Sequence, residues 1–196
     1  MTLTQLFRKY GDKLCLHGTD KETIHSYGAI YDQFCAPIKD RVTSLLEIGI
    51  SGGYALLAYA EFFPNVLITG MDLVNVVNPQ TRVHPRIKLV FGDANRGEIK
   101  SLVQGAYDLI IEDGSHKPDH QIKHFHDYGP MVKLGGYYII EDVAEEHRKR
   151  VSIATRKLGK SYGFIQTFHD LRLCKGRSDD LLIVLHRVKI IDPLST

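Results

Sequence analysis

Apolar and polar positions along the chain switch repeatedly between two periods. Short runs rich in β-branched and aromatic residues, such as Leu45-Leu46-Glu47-Ile48 and Tyr137-Tyr138-Ile139-Ile140, alternate with stretches whose apolar residues recur at helical spacing. This rhythm predicts strands over residues 44–48, 67–71, 87–91, 109–112, 136–140, 163–168 and 181–186. Helices are predicted over 53–62, 99–102, 119–131 and 145–157, after an N-terminal helical region at about 3–15 and 24–38. Five strand–helix alternations ending in two consecutive strands imply an α/β fold. The expected form is a Rossmann-like, doubly wound, seven-stranded and mostly parallel sheet. Its last strand is expected to enter antiparallel, through a hairpin over 174–180. No repeat or linker interrupts the pattern, so one domain is expected: a helical region or lid over 1–40 and a core over 41–196.

Two of the strand-like runs stop abruptly at acids. Tyr107-Asp108-Leu109-Ile110-Ile111 runs into Glu112-Asp113, and Tyr137 to Ile140 runs into Glu141-Asp142. With a helix between them they form a parallel βαβ unit. Both acid clusters then fall at the carboxyl edge of the sheet, where open α/β sheets bind ligands. Asp113 opens the stretch Asp113-Gly114-Ser115-His116. Three carboxylates meeting beside a histidine suit a hard cation and a proton to be removed. Taken singly, Asp-Gly-Ser also reads as a turn and Glu141-Asp142 as a helix cap.

Composition narrows the setting. The chain has 196 residues, 43% hydrophobic and 24% charged, enough for a real core. A formal net charge of +2 makes no electrostatic case for nucleic acid. No apolar run approaches the ~20 residues that cross a bilayer. The first sixteen residues mix Arg8, Lys9, Asp12 and Lys13 into their apolar positions, which fits an amphipathic helix better than a secretion signal. Cys15, Cys35 and Cys174 are scattered, so reduced thiols and a cytoplasmic setting are expected. Oligomeric state is not readable from the pattern; a homodimer is one option.

A second constellation lies earlier in the chain. Leu45-Leu46-Glu47-Ile48-Gly49-Ile50-Ser51-Gly52-Gly53 is a strand entering a glycine turn and then a helix. Glycines admit close backbone approach by a ligand, and a helix N-terminus offers free N–H groups. Ser51 stands where a dinucleotide fingerprint has its second glycine. The stretch instead resembles the Glu-x-Gly-x-x-x-Gly pattern of class I S-adenosylmethionine-dependent methyltransferases. The next two strands end at Met71-Asp72 and Phe91-Gly92-Asp93-Ala94. An acid at the former place can bind ribose hydroxyls, and the latter resembles the loop that borders adenine in that superfamily.

Within that superfamily the chain resembles the metal-dependent sugar O-methyltransferases of macrolide biosynthesis, the mycinamicin and macrocin type. Asp113-Gly114-Ser115-His116 followed by Glu141-Asp142 carries the likeness, with Gly18-Thr19-Asp20-Lys21, His25 and Tyr27 adding to it. The resemblance implies Mg²⁺ (or Mn²⁺) on Asp113, Glu141 and Asp142, and His116 as catalytic base. It implies S-adenosylmethionine as donor, with Thr19, Glu47, Gly49, Ser51, Gly53, Asp72, Asp93, Ala94 and Asp113 at the donor site. The implied acceptor is a sugar or glycoside hydroxyl, a deoxyhexose such as rhamnose being an example. Larger members of that family carry a further N-terminal domain.

The chemistry is coherent without the likeness. A cation lowers the pKa of a bound alcohol, and a neutral imidazole can take the proton as oxygen attacks a sulfonium methyl. Pro118 suits a first helical turn, which would set His116 at a positive helix end that favours the free base. Two other readings remain open at this point. One is a catechol-type O-methyltransferase, although such enzymes have lysine where this chain has His116. The other is a metallohydrolase built on Asp113, His116, His120 and Glu141. His120, His124, Asp119 and His126 read as a polar helix surface with some histidines lining the cleft. The segment 18–27 is a candidate to close over donor or substrate.

Overall fold

The computed structural model describes residues 1–12 and 18–188. The end of the predicted first helix, Cys15 and the last residues of the chain lie outside that range. Seven strands form one sheet: β1 (Ser44–Ile48), β2 (Leu67–Asp72), β3 (Ile87–Phe91), β4 (Tyr107–Glu112), β5 (Val132–Ile140), β6 (Phe164–Asp170) and β7 (Leu181–Arg187). Their order is β3-β2-β1-β4-β5-β7-β6. Strands β1 to β5 pair in parallel, and β7 is inserted antiparallel between β5 and β6. The expected α/β architecture, with its antiparallel last strand, is present. The order reverses at β1 and β4, so the crevice of a doubly wound sheet opens beyond their carboxyl ends.

Strand side chains alternate between two cores, as period-2 pleating requires. Leu45, Leu109, Ile111, Ile139, Leu182 and Val184 face one layer. Leu46, Ile48, Ile110, Tyr138, Ile140 and Ile183 face the other. The first layer is covered by α1 (Leu3–Lys9), α2 (Gly28–Cys35) and α3 (Tyr54–Phe62). The second carries α5 (Gly97–Leu102), α6 (Pro118–Tyr128) and α7 (Arg148–Tyr162) on its side. Two single-turn helices, α4 (Pro79–Arg82) and α8 (Arg172–Lys175), complete the set. Both are too short for apolar periodicity to reveal them.

The N-terminal helices are built into the core. Phe7 meets Tyr31 and Tyr59 edge-on, with ring centroids 5.2 and 5.6 Å apart. Thr2 and Gln5 form a capping box at the start of α1, and the Asp32 carboxylate accepts from the Leu3 N–H at 2.6 Å. Helix α2 begins at Gly28, later than its apolar spacing suggests, because residues 20–27 are drawn across the carboxyl edge of the sheet. Helix α7 extends to Tyr162, five residues past its predicted end. Its buried stripe Val151, Thr155, Gly159 continues at four-residue spacing until left-handed Gly163 stops it. Among the described residues no helix is long and apolar enough to cross a membrane.

Candidate functional site

The carboxyl ends of β1, β2, β3 and β4 surround a cavity of about 630 Å³. Its floor is the turn after β1. Gly49 has φ +86°, and a Cβ there would lie 2.0 Å from the Asp113 carbonyl oxygen. Only glycine lets the ends of β1 and β4 come this close. Gly53, at φ +77°, caps α3 and sits behind the cavity wall against Thr81. Asp72 braces this turn: one of its oxygens accepts from the Ile50 and Ser51 N–H groups at 2.9 and 2.8 Å, the other from Val74. Asp93 closes a local turn by accepting from the Asn95 N–H at 2.9 Å, which with the Asn95 amide holds its carboxyl below the usual range. Ala94 is fixed by the Tyr128 hydroxyl, which donates to its carbonyl at 2.8 Å. Thr19 reaches the same cavity from the N-terminal segment, where its N–H donates to the Tyr10 carbonyl at 2.9 Å.

Backbone strain gathers at this cavity. The non-glycine residues with left-handed backbone among those described are Ser51, His116 and Asp142, at φ +46°, +55° and +51°. All three line the cavity. Such conformations persist where surrounding contacts over-determine them, and they concentrate at ligand-handling sites. Asp113, His116 and Asp142 each present a donor atom within 4.8 Å of the others. His116 lies just before α6, with its side chain 42% exposed and Nε2 3.7 Å from an Asp142 oxygen. Gln121, on α6, donates to the Glu141 and Asp142 carbonyls and holds the strained bend after β5.

Glu141 faces Lys21 and Tyr31. Its carboxylate is buried, with Oε2 accepting from Lys21 Nζ at 2.8 Å and Oε1 from the Tyr31 hydroxyl. It is not in the donor cluster with Asp113, His116 and Asp142. The physical reason is Lys21, whose ammonium is 1% exposed and also lies 2.6 Å from Asp113 and 3.3 Å from Glu47. Burial pulls the Lys21 pKa down, but Asp113 and Glu141 outweigh it and hold the group charged, well above its usual value. Burial pushes Glu47 up to about 7 against the pull of Lys21, and neither of its oxygens has a hydrogen-bond partner. Burial likewise raises Asp113 and Glu141, with Lys21 opposing.

Sequence reasoning missed this network. Its pairings span the chain: Lys21 meets Asp113 and Glu141 across 92 and 120 residues, Tyr31 meets Glu141 across 110, and His25 Nδ1 meets Asp180 Oδ1 at 2.5 Å across 155. Two signals pointed toward it: the family likeness carried by Gly18-Thr19-Asp20-Lys21, His25 and Tyr27, and the arithmetic that several acids converging at strand tips require a cation or a shared proton. Tyr27 donates to Asp142, which ties the segment 18–27 to the same edge. His120 turns instead to the Ser115 hydroxyl at 2.7 Å, and His124 to Glu112 at 3.0 Å. The set Asp113, His116, His120 and Glu141 therefore does not converge on one point.

No family model matches the chain. It is 32% identical over 137 residues to the 8-demethyl-8-alpha-L-rhamnosyl tetracenomycin-C 2'-O-methyltransferase of Streptomyces olivaceus, covering 65% of this chain and 35% of that protein. It is 33% identical over 131 residues to the demethylmacrocin O-methyltransferase of Streptomyces fradiae, covering 62% and 32%. The chain thus spans about a third of the length of these curated relatives. Among solved structures it superposes on the MycE methyltransferase of the mycinamycin biosynthetic pathway, a complex with Mg, SAH and mycinamycin VI. That match has a TM-score of 0.73 at 20% identity, over 96% of this chain and 55% of that one. The chain has the Rossmann-like methyltransferase fold and is related in sequence to sugar O-methyltransferases.

Proposed function

We propose that this chain transfers the methyl group of S-adenosylmethionine to a sugar hydroxyl of a glycoside, with a divalent cation, Mg²⁺ or Mn²⁺, at the acceptor. The reading is carried by one observation. Three strained residues and the donor cluster of Asp113, His116 and Asp142 line the same cavity as a glycine turn that only a close ligand or strand explains. Relatives named as sugar O-methyltransferases support the acceptor class.

The residues fit both groups. On the donor side, Gly49 and Ser51 leave the turn open to a nucleoside, with Asp72 and Asp93 at the ribose and adenine ends. Glu47, buried with Lys21 at 3.3 Å from Oε1, keeps Oε2 unbonded for a cationic end of the donor at the cavity floor. On the acceptor side, Asp113 and Asp142 supply the hard oxygens a divalent ion takes. When bound, that ion orients the acceptor and lowers the pKa of its hydroxyl. His116 then accepts the hydroxyl proton at Nε2 as the oxygen bonds to the methyl carbon and the sulfur–carbon bond breaks. The sulfonium becomes a neutral thioether, and the imidazolium later returns its proton to water. Holding donor and acceptor in line supplies much of the acceleration.

The test is a transfer assay with methyl-labelled donor and a panel of rhamnosides, other glycosides and catechols. Label is expected on a glycoside hydroxyl, located by NMR, with loss on chelation and recovery with Mg²⁺ or Mn²⁺. Transfer that survives chelation, or label confined to catechols, overturns the reading.

A further inference from the structure

Helix α7 carries a charge pattern that the proposed chemistry does not use. Its residues Arg148–Tyr162 include Arg148, Lys149, Arg150, Arg156, Lys157 and Lys160 and no acid. Glu145 and Glu146 lie in the turn before it, and Glu145 is taken by Arg172. The buried stripe Val151, Thr155 and Gly159 fixes how the helix sits on the sheet. On the opposite side Ile153 stands 69% exposed. Residues three and four positions apart share a helix face, so Lys149, Arg150, Arg156 and Lys157 ring this isoleucine. Lys160 extends the ring by one turn, and all five cations are exposed. Arg150 pairs with Asp119 on α6, whereas Lys149, Arg156, Lys157 and Lys160 have no carboxylate partner among the described residues.

Beside this face, between α7 and β6, lies a hollow of about 260 Å³ lined by Arg148, Lys149, Ser152, Ile153, Arg156 and Phe168. Its wall is fixed by Gln166, on β6, which donates to the Ser152 hydroxyl at 2.9 Å and to the Ser152 carbonyl at 3.1 Å. We propose that the outward face of α7 docks on the surface of an anionic phospholipid bilayer. Ile153 enters the boundary between headgroups and acyl chains, and the hollow takes a phosphate headgroup. The argument is charge complementarity joined to shape: the unpaired cations leave their charge for an external anion, and they surround an aliphatic centre. That is the form of a helix lying in a bilayer interface. Lysine and arginine stems cover the apolar centre while their heads stay level with the phosphates. Basic clusters of this size on one helix face are held by anionic lipid. Single-stranded nucleic acid is bound through aromatic platforms as well as charge, and the outward face of α7 has no aromatic ring. The inference stands apart from the methyl-transfer reading, because none of these residues lines the donor and acceptor cavity.

The test is co-sedimentation of the protein with vesicles of phosphatidylcholine alone and of equal parts phosphatidylcholine and phosphatidylglycerol. Binding is expected only to the anionic vesicles, and NaCl at about 1 M, where the screening length falls to ~3 Å, should abolish it. Lys149→Glu combined with Arg156→Glu should weaken binding by at least about 25-fold, about fivefold for each cation taken from the surface. Ile153→Ser should weaken it by about tenfold, the low end of what burying an isoleucine contributes. The control is Lys39→Glu combined with Lys88→Glu, which changes net charge equally; Lys88 lies on β3, at the sheet edge opposite β6. It should lose less than about fivefold, the worth of one surface cation. Thermal melts check that every variant is folded. A wild type that stays in the supernatant with anionic vesicles overturns the proposal. A control that loses as much as the α7 double variant does the same, since the attraction then belongs to the whole protein. Vesicle binding that Ile153→Ser leaves unchanged also overturns it: the face then meets phosphate by charge alone, and inorganic pyrophosphate should displace the vesicles. Tighter retention on oligouridine than on vesicles, lost in the α7 double variant, assigns the face to nucleic acid instead.

Discussion

The acids at the carboxyl edge fall into two groups that solve the same problem differently. Asp72 and Asp93 are satisfied by backbone N–H groups of turns beside them, and for Asp93 this holds the carboxyl below its usual range. Glu47 and Glu141 are buried and Asp113 partly so; all three carry raised pKa values and depend on a lysine from a distant part of the chain. The first group is local and partly wet, so each member can be lost with modest damage. The second is a shared, desolvated charge cluster in which removing one partner exposes the rest. The comparison teaches that the proposed donor end of the cavity is shaped at Asp72 and Asp93 by turns, whereas the proposed acceptor end, with Glu47 between the two, is shaped by charge.

That contrast can be broken experimentally. At the acceptor end, His116→Ala is expected to lower turnover by about 10²–10⁴-fold, the ordinary worth of a general base. Its melting temperature should barely move, because the side chain is 42% exposed. Steady-state rates paired with a melt check both halves. Lys21→Met should cost about 3–5 kcal/mol of stability, as expected when one member of a buried ion cluster is removed. The denaturant midpoint measures it, and Lys21→Arg should recover part of the loss.

The donor end should respond less. Gly49→Ala forces a side chain into left-handed backbone, worth about 1–3 kcal/mol, besides its overlap with the Asp113 carbonyl. Its signature is weakened donor binding by calorimetry together with a lower midpoint. Asp93→Asn is the smallest change, about 1 kcal/mol for a local hydrogen-bonded turn. Because the Asp93 carboxyl is lowered from 3.8, its contribution is present above that pH and lost as pH falls through the lowered value. The melting difference between wild type and Asp93→Asn should therefore shrink in acid.

Legibility in the sequence follows the same division. The strands were readable because buried parallel strands are continuous apolar runs, and β1 and β3 have the bounds that their apolar residues indicate. The glycine turn and the acids at Asp72, Asp93 and Asp113 were readable because each closes an apolar run. Lys21 was visible only through the family likeness, and its pairing was not readable, since Asp113 and Glu141 lie 92 and 120 residues away and no periodicity links them. Helix α2 started late for a related reason: residues 20–27 answer to distant charges, not to the helical stripe that follows. Glu141 shows the limit most clearly. Its position beside Asp142 was evident, but which oxygen meets which cation depends on a side chain from another part of the fold.

The insertion of β7 between β5 and β6 has a consequence for how the protein is made. It delivers Asp180 to a buried contact with His25 beside Asp142, at the carboxyl edge of the sheet. A ribosome must therefore translate through most of the sequence before the early loop finds its anchor. Until then a growing polypeptide carries that loop unanchored, and a protease should cut it more readily than in the completed molecule.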